Sequence, residues 1–163
     1  MPEPIKFYFD FSSPYGYLMS EKIDALAAQH DRKVQWRPIL LGVVFQATGS
    51  APLTLQNPAK AAYSLVDFER SARFMDVPYN PPSRFPLPTQ NAARTYYWLH
   101  GQDCALARQF AHAVYRAYFV DDRDISAPPS RPEHWIRMPR APPRMVVCIA
   151  LRIARRNATR PDS

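Results

Sequence analysis

The chain has 163 residues, 47% of them apolar, and a formal net charge of +7; that is enough for one core and too apolar for a disordered chain. Residues 1–126 hold 13 Lys and Arg against 12 Asp and Glu, while residues 127–163 hold 8 Arg, no Lys and 2 acids, so the basicity belongs to the tail and argues against a nucleic-acid-binding body. No apolar run approaches the ~20 residues that span a bilayer, no basic-then-apolar leader opens the chain, and two cysteines, Cys104 and Cys148, make neither a disulfide framework nor a metal quartet, so a cytoplasmic protein with reduced thiols and no membrane partner is expected.

Ile5 to Phe11 alternates and is rich in aromatics, which predicts a strand. From Tyr15 to Gln29 the apolar positions Leu18, Ile23, Leu26 and Ala27 recur at helical spacing, with Glu21, Lys22 and Asp24 between them. Lys33 to Leu41 reads as a second strand through Val34, Trp36 and Ile39. A strand, a helix and a second strand in that order imply a right-handed βαβ unit with a parallel pair.

Asn57-Pro58 opens a predicted helix through Lys60, Tyr63, Leu65, Phe68 and Phe74, ending before Val77-Pro78. Residues 78–88, with five prolines, form a stiff irregular loop. Thr89 is placed to cap a helix that runs to about His100. Gln102-Asp103 starts another through Leu106, Phe110, Val114, Tyr115 and Phe119. The domain reading is a βαβ start over residues 1–41, a helical insert over 42–126 and an Arg/Pro-rich tail over 127–163. In the tail, Met145 to Leu151 is one short apolar island, and 7 of the chain's 18 prolines fall there. A flexible basic tail, out-of-frame translation of GC-rich coding sequence and a nucleic-acid-binding arm all fit its composition.

The most informative stretch is Phe7-Tyr8-Phe9-Asp10-Phe11-Ser12-Ser13-Pro14-Tyr15-Gly16-Tyr17-Leu18. A strand breaks at Ser-Pro and continues as a helix, which presents a hydroxyl at a helix N-terminus, where N–H groups favour an anion. Pro14 suits the first helical position, where its missing N–H costs nothing. Ser13 is either an ordinary N-cap or a group that donates to a bound thiolate. Disulfide exchange is ruled out there, because neither Ser13 nor Gly16 is cysteine.

At these residues the chain resembles the 2-hydroxychromene-2-carboxylate isomerases and the kappa-class glutathione transferases, branches of the thioredoxin-like group that includes the DsbA oxidoreductases. The likeness continues through Arg37 to Gly42, Ala47-Thr48-Gly49, Pro58 to Tyr63 and Pro82-Ser83-Arg84-Phe85-Pro86, covering roughly residues 4–126. It implies an α/β, thioredoxin-like fold with a helical insert, and a glutathione-dependent isomerase acting on a small aromatic substrate in aromatic-compound breakdown. Ser13 would hold the glutathione sulfur as thiolate. Ser50 falls where the family often has an asparagine near the glutathione backbone, and Lys60 would meet a carboxylate. Asn57 and Phe85 would line the substrate side, although Asn57 reads first as a helix cap and Phe85 equally as a core residue. Gly16 replaces a more usual serine. His100 and His112 read as ordinary helix histidines. The family's second half, which carries a cis-proline loop facing the serine, two strands and a closing helix, has no recognisable counterpart here. Pro86 and Pro88 lie in the insert and are not that loop. The resemblance thus implies a truncated or frameshifted C-terminal part, completed by homodimerisation or another segment, or else a non-catalytic remnant serving as an interaction module.

Overall fold

Phe7 and Phe9 alternate with Lys6 and Tyr8 along strand β1 (Ile5–Phe9), and Trp36 and Pro38 alternate with Gln35 and Arg37 along β2 (Val34–Pro38). The computed structural model, which describes residues 2–52 and 57–126, pairs these strands in parallel, with Phe7 opposite Trp36 and Phe9 opposite Pro38. Phe7, Phe9, Trp36 and Pro38 are buried on one face, and Tyr8 on the other is 54% exposed. Both strands are shorter than their apolar runs. The last ladder bond runs from Ile39 N to Phe9 O at 2.7 Å, after which Asp10 turns its side chain back onto the amide of Ser12.

The crossover is two helices, not one: α1 (Pro14–Ser20) and α2 (Ile23–Ala28). The predicted single helix over Tyr15–Gln29 breaks because the buried Ser20 hydroxyl donates to Tyr17 O at 2.6 Å. Lys22 N then closes a tighter turn on Met19 O. A short helix that the sequence reading did not contain, α3 (Leu41–Thr48), follows β2 and ends at Gly49 with φ +65°. None of its residues is buried.

Three longer helices complete the described residues: α4 (Pro58–Phe74), α5 (Gln90–His100) and α6 (Cys104–Phe119). Asn57 caps α4 and Asp103 caps α6 with side-chain bonds to their first turns. Thr89 stands at the N-cap of α5 but does not cap it; its hydroxyl goes to Asp10. No helix among the described residues is long and apolar enough to cross a membrane.

The core is an aromatic cluster. The Phe9 ring lies 5.3–5.9 Å from those of Phe7, Phe11, Trp36, Tyr96 and Tyr115, and Tyr115 links it to Tyr17 and Phe119. Edge-to-face and tilted pairs dominate, the geometry that aromatic quadrupoles favour. The helices α5 and α6 thus cover the buried face of the strand pair. The basic tail and its island at Met145–Leu151 lie outside the described residues.

Candidate functional site

The turn between β1 and α1 is built by Asp10, Ser12 and Ser13. Ser13 N donates to Asp10 O at 2.9 Å, and Ser13 Oγ accepts from Gly16 N at 3.1 Å. Ser13 is therefore the N-cap of α1, with Pro14 at the first helical position. The cap uses a lone pair on the oxygen. No acceptor among the described residues takes the hydroxyl proton, and the side chain is half-buried. A hydroxyl so placed, beside a helix N-terminus, can donate to an anion.

Gly16 has a steric reason. A Cβ there would lie 2.8 Å from Tyr115 Oη and 3.2 Å from Ser13 Cβ. Tyr115 is fully buried and donates to Asp10 O at 3.1 Å. Burial holds its phenol well above the ordinary range, so it stays a neutral donor.

The proline loop reaches this turn from the other side. Leu87 N donates to Ser12 Oγ at 3.0 Å, just after a cis peptide bond between Phe85 and Pro86. Tyr118 Oη donates to Arg84 O at 2.8 Å, Tyr17 Oη to Pro78 O at 2.6 Å and Asn80 N to Phe119 O at 2.7 Å. Arg84 also pairs with Asp124 at 2.5 Å. Phe85 is half-buried, its ring 6.2 Å from that of Phe68, which in turn stands 5.0 Å from Tyr15. Tyr15, two residues past Ser13, donates to Asp67 Oδ2 at 2.6 Å. Its burial and that bond push its phenol up to about 12. Asp67 is held below the usual carboxylate range by the Tyr15 bond first and by Arg70 second. Arg70 also donates to Tyr63 Oη at 2.8 Å, so a polar chain runs outward along α4.

The other expected site residues have different hydrogen-bond partners. Ser50 is exposed, one residue past Gly49, and its amide donates to Phe45 O. Asn57 spends its side-chain oxygen on Ala59 N at 2.8 Å. Lys60 is exposed in the first turn of α4. No hydrogen bond or ion pair among the described residues joins any of the three to Ser13. His112 meets Glu21 at 3.2 Å and lies against Trp36, while His100 Nε2 lies 3.6 Å from Cys104 Sγ. No group of three metal-ligating side chains occurs among the described residues. The sequence reading passed over Asp10 and Tyr115. The one available signal was a carboxylate inside the apolar run Phe7–Phe11.

Residues 4–132 match the family model of the DSBA-like thioredoxin domain. The chain is 34% identical over 128 residues to a 2-hydroxychromene-2-carboxylate isomerase of Sphingobium xenophagum, across 76% of this chain and 64% of the relative. It is 35% identical over 82 residues to glutathione S-transferase kappa 1 of Caenorhabditis elegans, across 50% of this chain and 36% of that protein. A solved structure of a 2-hydroxychromene-2-carboxylate isomerase superposes with a TM-score of 0.65 at 24% identity, over 77% of this chain and 60% of the other. That likeness bears on the fold alone. The chain spans between about a third and two thirds of the length of these curated relatives.

Proposed function

Because the chain belongs to the DSBA-like thioredoxin domain family, we propose that it is a glutathione-dependent isomerase of the 2-hydroxychromene-2-carboxylate type, with Ser13 as the group that holds the glutathione sulfur. The observation that carries this reading is the Ser13 hydroxyl at the strand-to-helix junction, where a disulfide oxidoreductase needs cysteine. Its oxygen caps α1 and its proton has no acceptor among the described residues. A free thiol with a pKa near 8.5 is mostly protonated at neutral pH. A hydroxyl donor and the positive end of α1 both favour the thiolate.

The chemistry on this reading is reversible addition. The thiolate adds to the benzylic carbon of the ring C=C, and the double bond shifts to the hydroxyl-bearing carbon as an enol. The ring C–O bond breaks with its electron pair on the phenolate oxygen, and rotation follows about what is now a carbon–carbon single bond. Elimination of the thiolate then yields the benzylidenepyruvate isomer, with no net gain or loss of atoms or electrons. Phe85 and Asn57 would line the substrate side, Ser50 would contact the glutathione backbone, and Lys60 would meet a carboxylate of glutathione or of the substrate. Residues 42–126 act on this reading as a helical insert supplying one wall. A second copy of the chain is the proposed partner that completes the site.

Glutathione at millimolar concentration is expected to raise the Tm of the full chain, and Ser13→Ala is expected to abolish turnover of 2-hydroxychromene-2-carboxylate. An unchanged Tm, together with turnover that survives Ser13→Ala, would count against the reading. A second reading, glutathione transfer, is favoured by the likeness to the kappa-class relative. A stable glutathione adduct as product, in place of an isomer of unchanged mass, would select it.

A further inference from the structure

Asp10 leaves β1 at the edge of the site and is 5% exposed, yet no ion pair among the described residues neutralises it. Neutral donors hold it instead. Oδ1 accepts from Ser12 N at 2.8 Å and from Thr89 Oγ1 at 2.9 Å, and Oδ2 accepts from Leu41 N at 2.8 Å. Its backbone carbonyl takes Ser13 N and the Tyr115 hydroxyl. Each donor to the carboxylate stands at or just before the start of a helix. Ser12 precedes the N-cap of α1, Leu41 is the first residue of α3, and Thr89 is the N-cap of α5. One of these donors, Leu41 N, is a free N–H of a helix's first turn, so the positive end of α3 faces the carboxylate. Burying a carboxylate without a cation is expensive. Five bonds from one residue also fix the chain around it more tightly than a turn alone requires.

We propose that Asp10 is the positioning residue for Ser13, locking the Ser12–Ser13 turn to the first residue of α3 and the N-cap of α5 so that the Ser13 hydroxyl is held in line for the sulfur. The assignment rests on the isomerase reading above. Asparagine has the same shape, but both carboxylate oxygens already receive N–H donors. Either orientation of the amide therefore sets an NH2 group against Ser12 N or Leu41 N. The turn relaxes, and a displacement of a fraction of an ångström at Ser13 is enough to slow a reaction that depends on alignment.

The test measures the full chain, Asp10→Asn and a core control, Leu99→Ala, whose buried side chain makes none of the bonds to Asp10. Folding is monitored by circular dichroism and each protein is assayed under conditions where it is folded. For Asp10→Asn, kcat is expected to fall about 10- to 100-fold with KM for the aromatic substrate within about twofold of the parent. Leu99→Ala is expected to keep kcat within about threefold. A kcat for Asp10→Asn no lower than the control's would overturn the assignment while leaving the isomerase reading standing. Should Asp10→Asn fail to fold, Thr89→Val removes one donor and keeps the carboxylate. A several-fold loss of kcat at constant KM then supports the assignment, and an unchanged kcat overturns it. A parent chain that neither turns over nor binds glutathione removes the isomerase reading and the assignment together.

Discussion

At the scale of single residues, the Gly16–Tyr115 contact sets two ordinary tendencies against each other. Alanine in a helix is favoured over glycine by roughly 0.5–1 kcal/mol. The Cβ it would add lies 2.8 Å from the hydroxyl of a fully buried tyrosine, and overpacking of that kind costs about 1–3 kcal/mol. The steric term wins. Gly16→Ala is therefore expected to destabilise the chain by about 1–2 kcal/mol in urea denaturation. Tyr115→Phe removes the obstructing oxygen at the expense of its bond to Asp10 O, worth about 1 kcal/mol. In that background Gly16→Ala should become neutral or stabilising, a coupling of about 1–3 kcal/mol in the double-mutant cycle. Additive effects of the two substitutions would show that the ring moves aside. The same contact disfavours serine at this position, since its Cβ would meet the same hydroxyl. That partner was not legible from the motif, because Tyr115 lies 99 positions further along the chain.

At the scale of elements, what the sequence announces and what it hides follow from the range of the forces involved. The starts of α4 and α6 were legible because Asn57-Pro58 and Asp103 satisfy N–H groups two or three residues away. The parallel pair was legible from alternation. The break between α1 and α2 was not, since it turns on one buried serine hydroxyl in an otherwise helical pattern. Helix α3 escaped because Leu41-Gly42-Val43-Val44-Phe45 has no polar face to set a period. Ser13 could be found from the strand–Ser-Pro–helix pattern, while Asp10 draws on Thr89, 79 residues away. The α1–α2 junction carries a tie of the same long-range kind, from Glu21 to His112 on α6. The His112 bond, opposed by burial, holds the Glu21 carboxyl below its ordinary range. A carboxyl lowered on folding contributes stability above its unfolded pKa, near ~4.3, and loses it as pH falls through the folded value. Urea midpoints of the parent should thus exceed those of Glu21→Gln at pH 6 and converge with them at acid pH. Parallel curves across that range would mean the pair contributes nothing to folding.

At the scale of the whole molecule, the strand pair cannot stand by itself, because two strands bury too little to fold alone in water. Its buried face is Phe7, Phe9, Trp36 and Pro38, and what covers that face comes from α5 and α6 through Tyr96, Tyr115 and His112. The hydroxyls of Tyr96 and Tyr97 also reach the outer carbonyls of β2, at Trp36 O and Pro38 O, and so occupy an edge that would otherwise invite pairing. A strand pair and helices that share one aromatic cluster must gain and lose it together. Far-ultraviolet circular dichroism, which reports mainly α4, α5 and α6, and near-ultraviolet circular dichroism, which reports aromatic packing, should follow one transition in urea. Phe9→Ala, which removes the ring touching five others, is expected to cost about 3–5 kcal/mol and to shift both signals equally. That is a large share of the roughly 5–15 kcal/mol typical of a domain, so the variant should sit at the margin of folding at 25 °C. If the helical signal instead melts at an unchanged midpoint while the aromatic signal is lost early, the helices have a core of their own. The strand pair would then be an attachment to it, and the turn carrying Ser13 would be ordered only as far as that attachment holds.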